Sequence, residues 1–244
     1  MTNLTKCLMA ACAFAALGRG PGSTSLAAAQ PHDWPMWGGT PGRNMVSPET
    51  GAPTEWDIES GVNIKWTAQL GSQSYGNPVI SGNLVVVGSN NEGHRDPRVQ
   101  GDASSLLIFD VHTGKFLYQR LSAKLASGRV NDWPYQGVCS TACIEGDLLW
   151  YCTPRCEVVC LDLGPLRRDG SPAREVWVHD MMKEQGVFPH NMTSCSTLVY
   201  EDWIYVITGN GVDETHKNLP APDAPSVICF EKKTCSASFE THAT

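Results

Sequence analysis

The residues best suited to recognition or chemistry fall in four stretches of the 244-residue chain. They are His94, Arg95 and Asp96; Arg129, Asp132, Trp133 and Tyr135; His190 and Asn191; and Asp213, Glu214, His216 and Lys217. Each stretch lies in a long connection between apolar runs: Ser89 to Ala103, Ser122 to Gly137, His179 to Ser194 and Gly209 to Ser226. Polar, aromatic and titratable groups gathered on loops are where binding usually resides; singly, each is equally readable as a solvated loop residue. Trp133 and Tyr135 flank Pro134, and their rings can stack on a planar or sugar-like ligand or pack over a gap between sheets. Asp213 and Glu214, near Asn210, carry oxygens of the kind a hard cation takes, or form an acidic loop. Thr208-Gly209-Asn210-Gly211 is not a nucleophile elbow, and no serine has an assignable histidine–carboxylate set. Neither a phosphate-binding glycine loop nor a metal-protease histidine pair occurs.

Eight of the ten cysteines lie between Cys139 and Cys235, with four-residue spacings at Cys139/Cys143 and Cys152/Cys156/Cys160. On a strand, residues four apart are roughly 13 Å from each other, too far for one zinc ion or one disulfide. Cysteines on neighbouring strands can still pair, and buried thiols are the other reading. The net charge of −7 is scattered rather than blocked, which argues against a nucleic-acid protein.

Residues 1–29 read as a signal peptide. Lys6 is followed by an apolar run from Cys7 to Leu17, and Ala27-Ala28-Ala29 offers a small-residue cleavage site. The run is too short to span a bilayer, so the expectation is an exported protein, periplasmic or extracellular, with no transmembrane segment. Residues 30–62 are rich in Trp, Pro and Gly without a period and read as an ordered but irregular arm; residues 63–244 carry the repeats.

The elements that must position the loops are short β-like runs, and no segment shows helical periodicity. Val79-Ile80 and Leu84 to Val87 flank Ser81-Gly82-Asn83; Cys143-Ile144 and Leu148 to Tyr151 flank Glu145-Gly146-Asp147; Leu198-Val199 and Trp203 to Val206 flank Tyr200-Glu201-Asp202. Each hairpin is followed by a third run (Leu106 to Asp110, Val158 to Asp162, Val227 to Glu231). A fourth run follows, marked by an aromatic: Tyr118, Trp177 and Phe239. Trp66 is expected in an outer strand, Asn63 to Leu70, that begins the series. Four-stranded units repeating every roughly 50 to 70 residues are what propeller blades require. The fold class is therefore all-β, a propeller of four-stranded antiparallel blades with about three blades present. The long connections emerge on one end of such blades and the tight turns on the other, the enlarged turn after Asp162 excepted.

Ile108-Phe109-Asp110-Val111-His112-Thr113-Gly114-Lys115-Phe116-Leu117-Tyr118 resembles the repeat of quinoprotein-type (PQQ-like) propellers: alanine, any, aspartate, two of any, threonine-glycine-lysine, two of any, tryptophan. Asp110, Thr113, Gly114 and Lys115 match, and Ile108 and Tyr118 stand in conservatively. The second copy keeps Cys160, Asp162 and Trp177 around a turn enlarged by Gly164 to Ala173. The third keeps Cys229, Glu231, Thr234 and Phe239, with Cys235-Ser236 in place of glycine-lysine. With the opening Trp34-Pro35-Met36-Trp37-Gly38-Gly39, the chain is most similar to secreted bacterial proteins of this repeat family. The resemblance implies three functional classes. The chain is a noncatalytic binding or scaffold module with a protein or polymer partner, part of a PQQ- and calcium-dependent alcohol or sugar dehydrogenase, or an outer-membrane assembly scaffold. PQQ and calcium enter by the resemblance alone; no adjacent cysteine pair and no Cys-x-x-Cys-His haem attachment site occurs. Since a closed ring takes about 4 to 8 blades, the further expectation is an incomplete propeller.

Overall fold

The computed structural model describes residues 32–125 and 134–241. The expected signal peptide and Arg129, Asp132 and Trp133 lie outside the described residues. Among the described residues twelve strands form three four-stranded antiparallel sheets, each in sequential order. Blade 1 is β1 (Val79–Ser81), β2 (Leu84–Asn90), β3 (Ala103–Asp110) and β4 (Phe116–Ala123). Blade 2 is β5 (Cys143–Glu145), β6 (Leu148–Cys152), β7 (Glu157–Asp162) and β8 (Arg174–Asp180). Blade 3 is β9 (Leu198–Tyr200), β10 (Trp203–Ile207), β11 (Val227–Glu231) and β12 (Ala237–Thr241). The three expected hairpins and the third and fourth strands are all present.

Because side chains alternate across a strand, each sheet offers two apolar faces, and the blades stack to cover them. One face of blade 1 (Val79, Leu84, Val86, Leu106, Ile108) meets one face of blade 2 (Ile144, Leu149, Tyr151, Val159, Leu161) in a single core. The opposite face of blade 2 (Cys143, Trp150, Cys152, Val158, Cys160) meets Val199, Ile204, Val206, Ile228 and Phe230 of blade 3. Among the described residues the blades do not close into a ring, and Ile207 and Tyr200 of blade 3 are 61% and 47% exposed.

A bulge recurs at one place in all three repeats. The register between third and fourth strands slips after Ile108, Cys160 and Cys229, whose partners are Tyr118, Trp177 and Phe239. An extra residue there bends the outer strand, and the aromatics of the first two copies pack on the next blade. Tyr118 joins the core between blades 1 and 2, and the Trp177 ring lies 6.5 Å from Phe230 of blade 3. Burying such a ring contributes about 2–3 kcal/mol.

The turn after each third strand is closed by its acid. Asp110 Oδ1 accepts from the backbone N–H groups of His112 and Thr113 and from the Thr113 hydroxyl, which holds its pKa below the ordinary carboxylate value. Glu231 accepts from the backbone of Lys233 and Thr234 in the same way.

Two expectations are corrected. Residues 63–70 form no strand, because no neighbouring strand pairs with them; the segment instead lays Trp66, Ala68 and Leu70 over Val85, Val87, Leu107 and Phe109 of blade 1. Trp66 Nε1 donates to the Val111 carbonyl at 2.9 Å, and its ring rests on Gly114. Two short α-helices also occur among the described residues. The first, α1 (Gly164–Asp169), fills the enlarged turn after Asp162, with Pro165 in its first turn, Leu166 buried and Gly170 left-handed at its end. The second, α2 (Met181–Glu184), is capped by Asp180, which accepts from the N–H groups of Met182 and Lys183. Helices of six and four residues are too short to show a 3.6-residue period.

Polar contacts tie the blades at their rims. Arg120 of β4 donates to Glu175 of β8 at 2.8 Å and to the buried Tyr151 hydroxyl of β6 at 2.9 Å. Arg167 of α1 donates to the Ser81 carbonyl at 3.1 Å, and Lys232 of blade 3 pairs with Glu145 of blade 2 at 2.6 Å.

Gly114 has φ +71°, and a Cβ there would meet Trp66 ring atoms at 2.6–2.8 Å. Gly114→Ala is therefore expected to cost about 1–3 kcal/mol, read as a lower midpoint in urea with unchanged slope. Arg120→Met removes the charged donor from the buried Tyr151 hydroxyl, which keeps its hydrogen bond to Ser122, and is expected to cost about 1–3 kcal/mol. Glu175→Gln, at a half-exposed partner, should cost under about 1 kcal/mol.

Candidate functional site

The first strands β1, β5 and β9 are the shortest of each blade, and the runs entering them touch from blade to blade. Asn77 N–H donates to Thr141 Oγ1 at 3.0 Å, and Thr141 N–H donates to Ser196 Oγ at 3.0 Å. All three residues stand two places ahead of their blade's first strand. One place earlier, the approach is close enough that a Cβ on Gly76 would sit 2.6 Å from the Ser140 carbonyl oxygen. These contacts define the axis about which the blades are arranged.

The arm crosses that axis. Trp34 exchanges two backbone hydrogen bonds with Ile80 of β1, Pro35 accepts from Ile144 N–H of β5, and Arg43 donates to the Ser196 carbonyl ahead of β9. Through these contacts the irregular arm is held by β1, β5 and the run into β9.

One end of the axis carries an open pocket of about 690 Å³, lined by Tyr75, Gln136, Cys139, His190, Asn191, Met192, Ser194 and His216. Tyr75, Cys139 and Ser194 occupy one repeat position, four residues ahead of Val79, Cys143 and Leu198. The propeller repeat therefore brings three blades to one site. His190, Asn191 and His216, singled out in the sequence, converge here; Tyr75, Gln136, Cys139, Met192 and Ser194 were not singled out. Their signal was available in the register: counting back from each hairpin gives the same lining position three times.

The His190 and His216 rings meet edge to face, with centroids 4.8 Å apart and planes at 87°. His190 Nδ1 lies 2.9 Å from the Val212 carbonyl. A carbonyl only accepts, so Nδ1 carries a proton and Nε2 of the neutral ring is left as an acceptor. Together with the Asn191 and Gln136 amides and the Ser194 hydroxyl, the site has donors and acceptors of both kinds. Among the described residues its lining has no carboxylate, lysine or arginine. Such a surface can hold an uncharged, hydrogen-bonding ligand against aromatic edges.

The remaining candidates lie elsewhere. Tyr135 is exposed beside the pocket residue Gln136, its N–H bound to Asp102 at 2.7 Å. Glu214 and Lys217 sit on the exposed turn that carries His216. His94 ends a single 3-10 turn after β2 in a left-handed conformation. Arg95 lies over the Phe116 and Phe109 rings, at 4.5 and 5.5 Å, and donates to the Gln69 carbonyl, so it helps cover blade 1. Asp96 is lowered to about 2 by hydrogen bonds from the Arg98 side chain and backbone.

The oxygens that a calcium ion would need are engaged within the chain. Asp213 is lowered to about 2 by the Thr215 hydroxyl and then the Asn218 amide, which close its own turn. Asn210 accepts from Phe188 N–H and donates to the Ala221 carbonyl, both at 2.9 Å. A calcium site takes 6–8 oxygen ligands, carboxylates prominent among them, and these residues do not fit one. No group of three or more His, Cys, Asp or Glu suited to a metal occurs among the described residues.

No family model matches the chain, and no curated protein matches it. Solved structures do. A europium-containing methanol dehydrogenase superposes with a TM-score of 0.55 over 88% of this chain at 14% identity. The match covers 32% of the dehydrogenase, so this chain spans about a third of its length. A quinohemoprotein alcohol dehydrogenase from Comamonas testosteroni gives 0.48 at 15% identity, over 96% of this chain and 31% of that one. BamB from Moraxella catarrhalis gives 0.27 at 12% identity, over 71% and 75%. At these identities the likeness is one of fold: the chain is built from β-propeller blades. No helix among the described residues is long and apolar enough to cross a membrane.

Proposed function

We propose that this chain is an exported, noncatalytic propeller module that binds a partner through the end of the ring carrying the axial pocket. The partner is an uncharged, hydrogen-bonding stretch of a protein or other polymer. The observation that carries the reading is the three-blade pocket, whose described lining offers imidazoles, amides, a hydroxyl and a tyrosine and no carboxylate, lysine or arginine. Hydrogen-bond donors and acceptors set among aromatic groups suit peptide amides or sugar hydroxyls. Concentration of the long connections on the same end supports it, since scaffold loops usually carry recognition. Export rests on the leader-like residues 1–29.

The second reading is part of a quinone-dependent dehydrogenase, favoured by the fold likeness to the methanol dehydrogenase. Blade fold alone does not carry an activity, and the engagement of Asp213 and Asn210 in their own turns weighs against it.

The test is titration of the isotope-labelled chain with two probe sets, uncharged peptides and neutral oligosaccharides, followed by backbone NMR shifts. The proposal expects saturable shifts at Tyr75, Gln136, Asn191 and Ser194, absent at the opposite-end turns Gly82, Gly146 and Glu201. Shifts confined to those turns, or none from either set at millimolar concentration, would overturn it. A parallel titration with PQQ and calcium should leave the quinone absorbance unchanged; a saturable, calcium-dependent change at micromolar concentration favours the dehydrogenase reading.

A further inference from the structure

We propose that Cys152 and Cys195 form a dithiol site that a small-molecule disulfide oxidises to a covalent bridge between blades 2 and 3. Both are thiols in this structure. Cys152 is the last residue of β6, and Cys195 lies three residues ahead of β9. Thr197 Oγ1 donates to the Trp150 carbonyl and Thr193 N–H to the Pro154 carbonyl, each at 3.2 Å; these bonds bracket the pair and set Cys195 opposite Cys152 across the blade interface, against the same apolar core.

The repeat position of Cys195 carries a different residue in each blade, with Gly76 in blade 1. Ser140 holds the equivalent position in blade 2; its hydroxyl accepts from Cys152 N–H at 3.2 Å and donates to the Cys152 carbonyl at 2.7 Å. In blade 3 the Cys195 sulfur accepts from Ile207 N–H at 3.2 Å, and Ile207 ends β10 as Cys152 ends β6. A hydroxyl would satisfy that backbone donor equally. What the sulfur adds is a partner thiol on the neighbouring blade.

The two thiols are unequal. Donation from the Cys152 thiol and from Ile207 N–H, together with the charge of Arg43, pulls the Cys195 pKa down, while donation to Cys195 and then burial push that of Cys152 up. Thiolate is the form that attacks a disulfide, so Cys195 is the nucleophile and the buried Cys152 the resolving thiol. Cys195 is partly exposed, and its neighbour Ser194 lines the axial pocket, which gives the donor a route in.

The Cys195 thiolate attacks one sulfur of the donor. The donor's S–S bond breaks, one half stays on Cys195, and the other leaves as a thiolate that takes up a proton. Cys152 gives its proton to solvent and attacks the Cys195 sulfur, which forms the bridge and releases the second half as a thiol. Two protein thiols are oxidised and one disulfide is reduced to two thiols, with no other reactant.

The experiment uses the full chain and oxidised glutathione, followed by N-ethylmaleimide quenching, tryptic digestion and mass spectrometry. The expected product joins peptides 130–155 and 184–217, with fragmentation placing the link at Cys152 and Cys195. The bridge closes a long loop, so the oxidised form should melt higher by roughly 5–10 °C. Cys152→Ala should stop at the Cys195–glutathione mixed disulfide. Cys195→Ser, with the acceptor that Ser140 already supplies in blade 2, should give no bridge and an unchanged melting temperature before oxidant. Recovery of Cys195 as its maleimide adduct after glutathione treatment, or a bridge from Cys152 to Cys156 instead, would overturn the proposal. The wild-type peptide map decides even if Cys152→Ala does not fold.

Discussion

A four-stranded sheet of this composition has two apolar faces, and water must be kept from both. That constraint organises the molecule. Blade 2 meets it on both sides with neighbouring sheets, and its Trp150, Tyr151, Cys152 and Leu161 are fully buried. Blade 1 meets it with blade 2 on one side and, on the other, with an extended segment whose Trp66, Ala68 and Leu70 stand in for a sheet. The repeat motif serves the same end. The bulge turns the outer strand, its aromatic reaches the next blade, and the acid-closed turn with glycine at position 114 leaves a flat seat for the preceding ring.

Stacking by this rule also creates the site. Because each blade repeats the same approach to its first strand, Asn77, Thr141 and Ser196 fall into a hydrogen-bonded series along the axis. Residues two places earlier in each blade then line one pocket. The site is thus a by-product of repetition that loop sequences have made specific: His190 comes from the connection into blade 3 and His216 from a loop within it. The Cys152–Cys195 pair arises from the same symmetry, where one repeat places a cysteine at the hydroxyl position of the other.

The hairpins were legible because Gly82, Gly146 and Glu201 interrupt alternating apolar runs, and blade architecture followed from their spacing. Asp110, Thr113 and Gly114 were legible as a turn because each residue type has a local reason to be there. The role of Trp66 was half legible: its aromatic position was clear, but whether residues 63–70 pair as a strand depends on a neighbour that local sequence does not encode. The arm has no period in its sequence because its order comes from non-local contacts, Trp34 with Ile80 and Arg43 with Ser196. Of the candidate site, only the histidines and Asn191 announced themselves. Tyr75, Cys139 and Ser194 are unlike in chemistry and share only a register, which becomes visible once the blades are aligned. Arg95 and Asp213 show the opposite case, charged loop residues whose groups are consumed by packing and turn closure.

The central claim is that each sheet owes its stability to the surfaces laid against it, so that the doubly covered blade 2 is the most stable part of the molecule. Native-state hydrogen exchange of the full chain, measured strand by strand at low denaturant, tests this directly. The account predicts the slowest exchange in β6 and β7, with β2 and β3 next and blade 3 fastest, and one shared opening for the slowest amides of blades 1 and 2. Blade 3 amides exchanging as slowly as those of blade 2, or the three blades opening independently of one another, would contradict it.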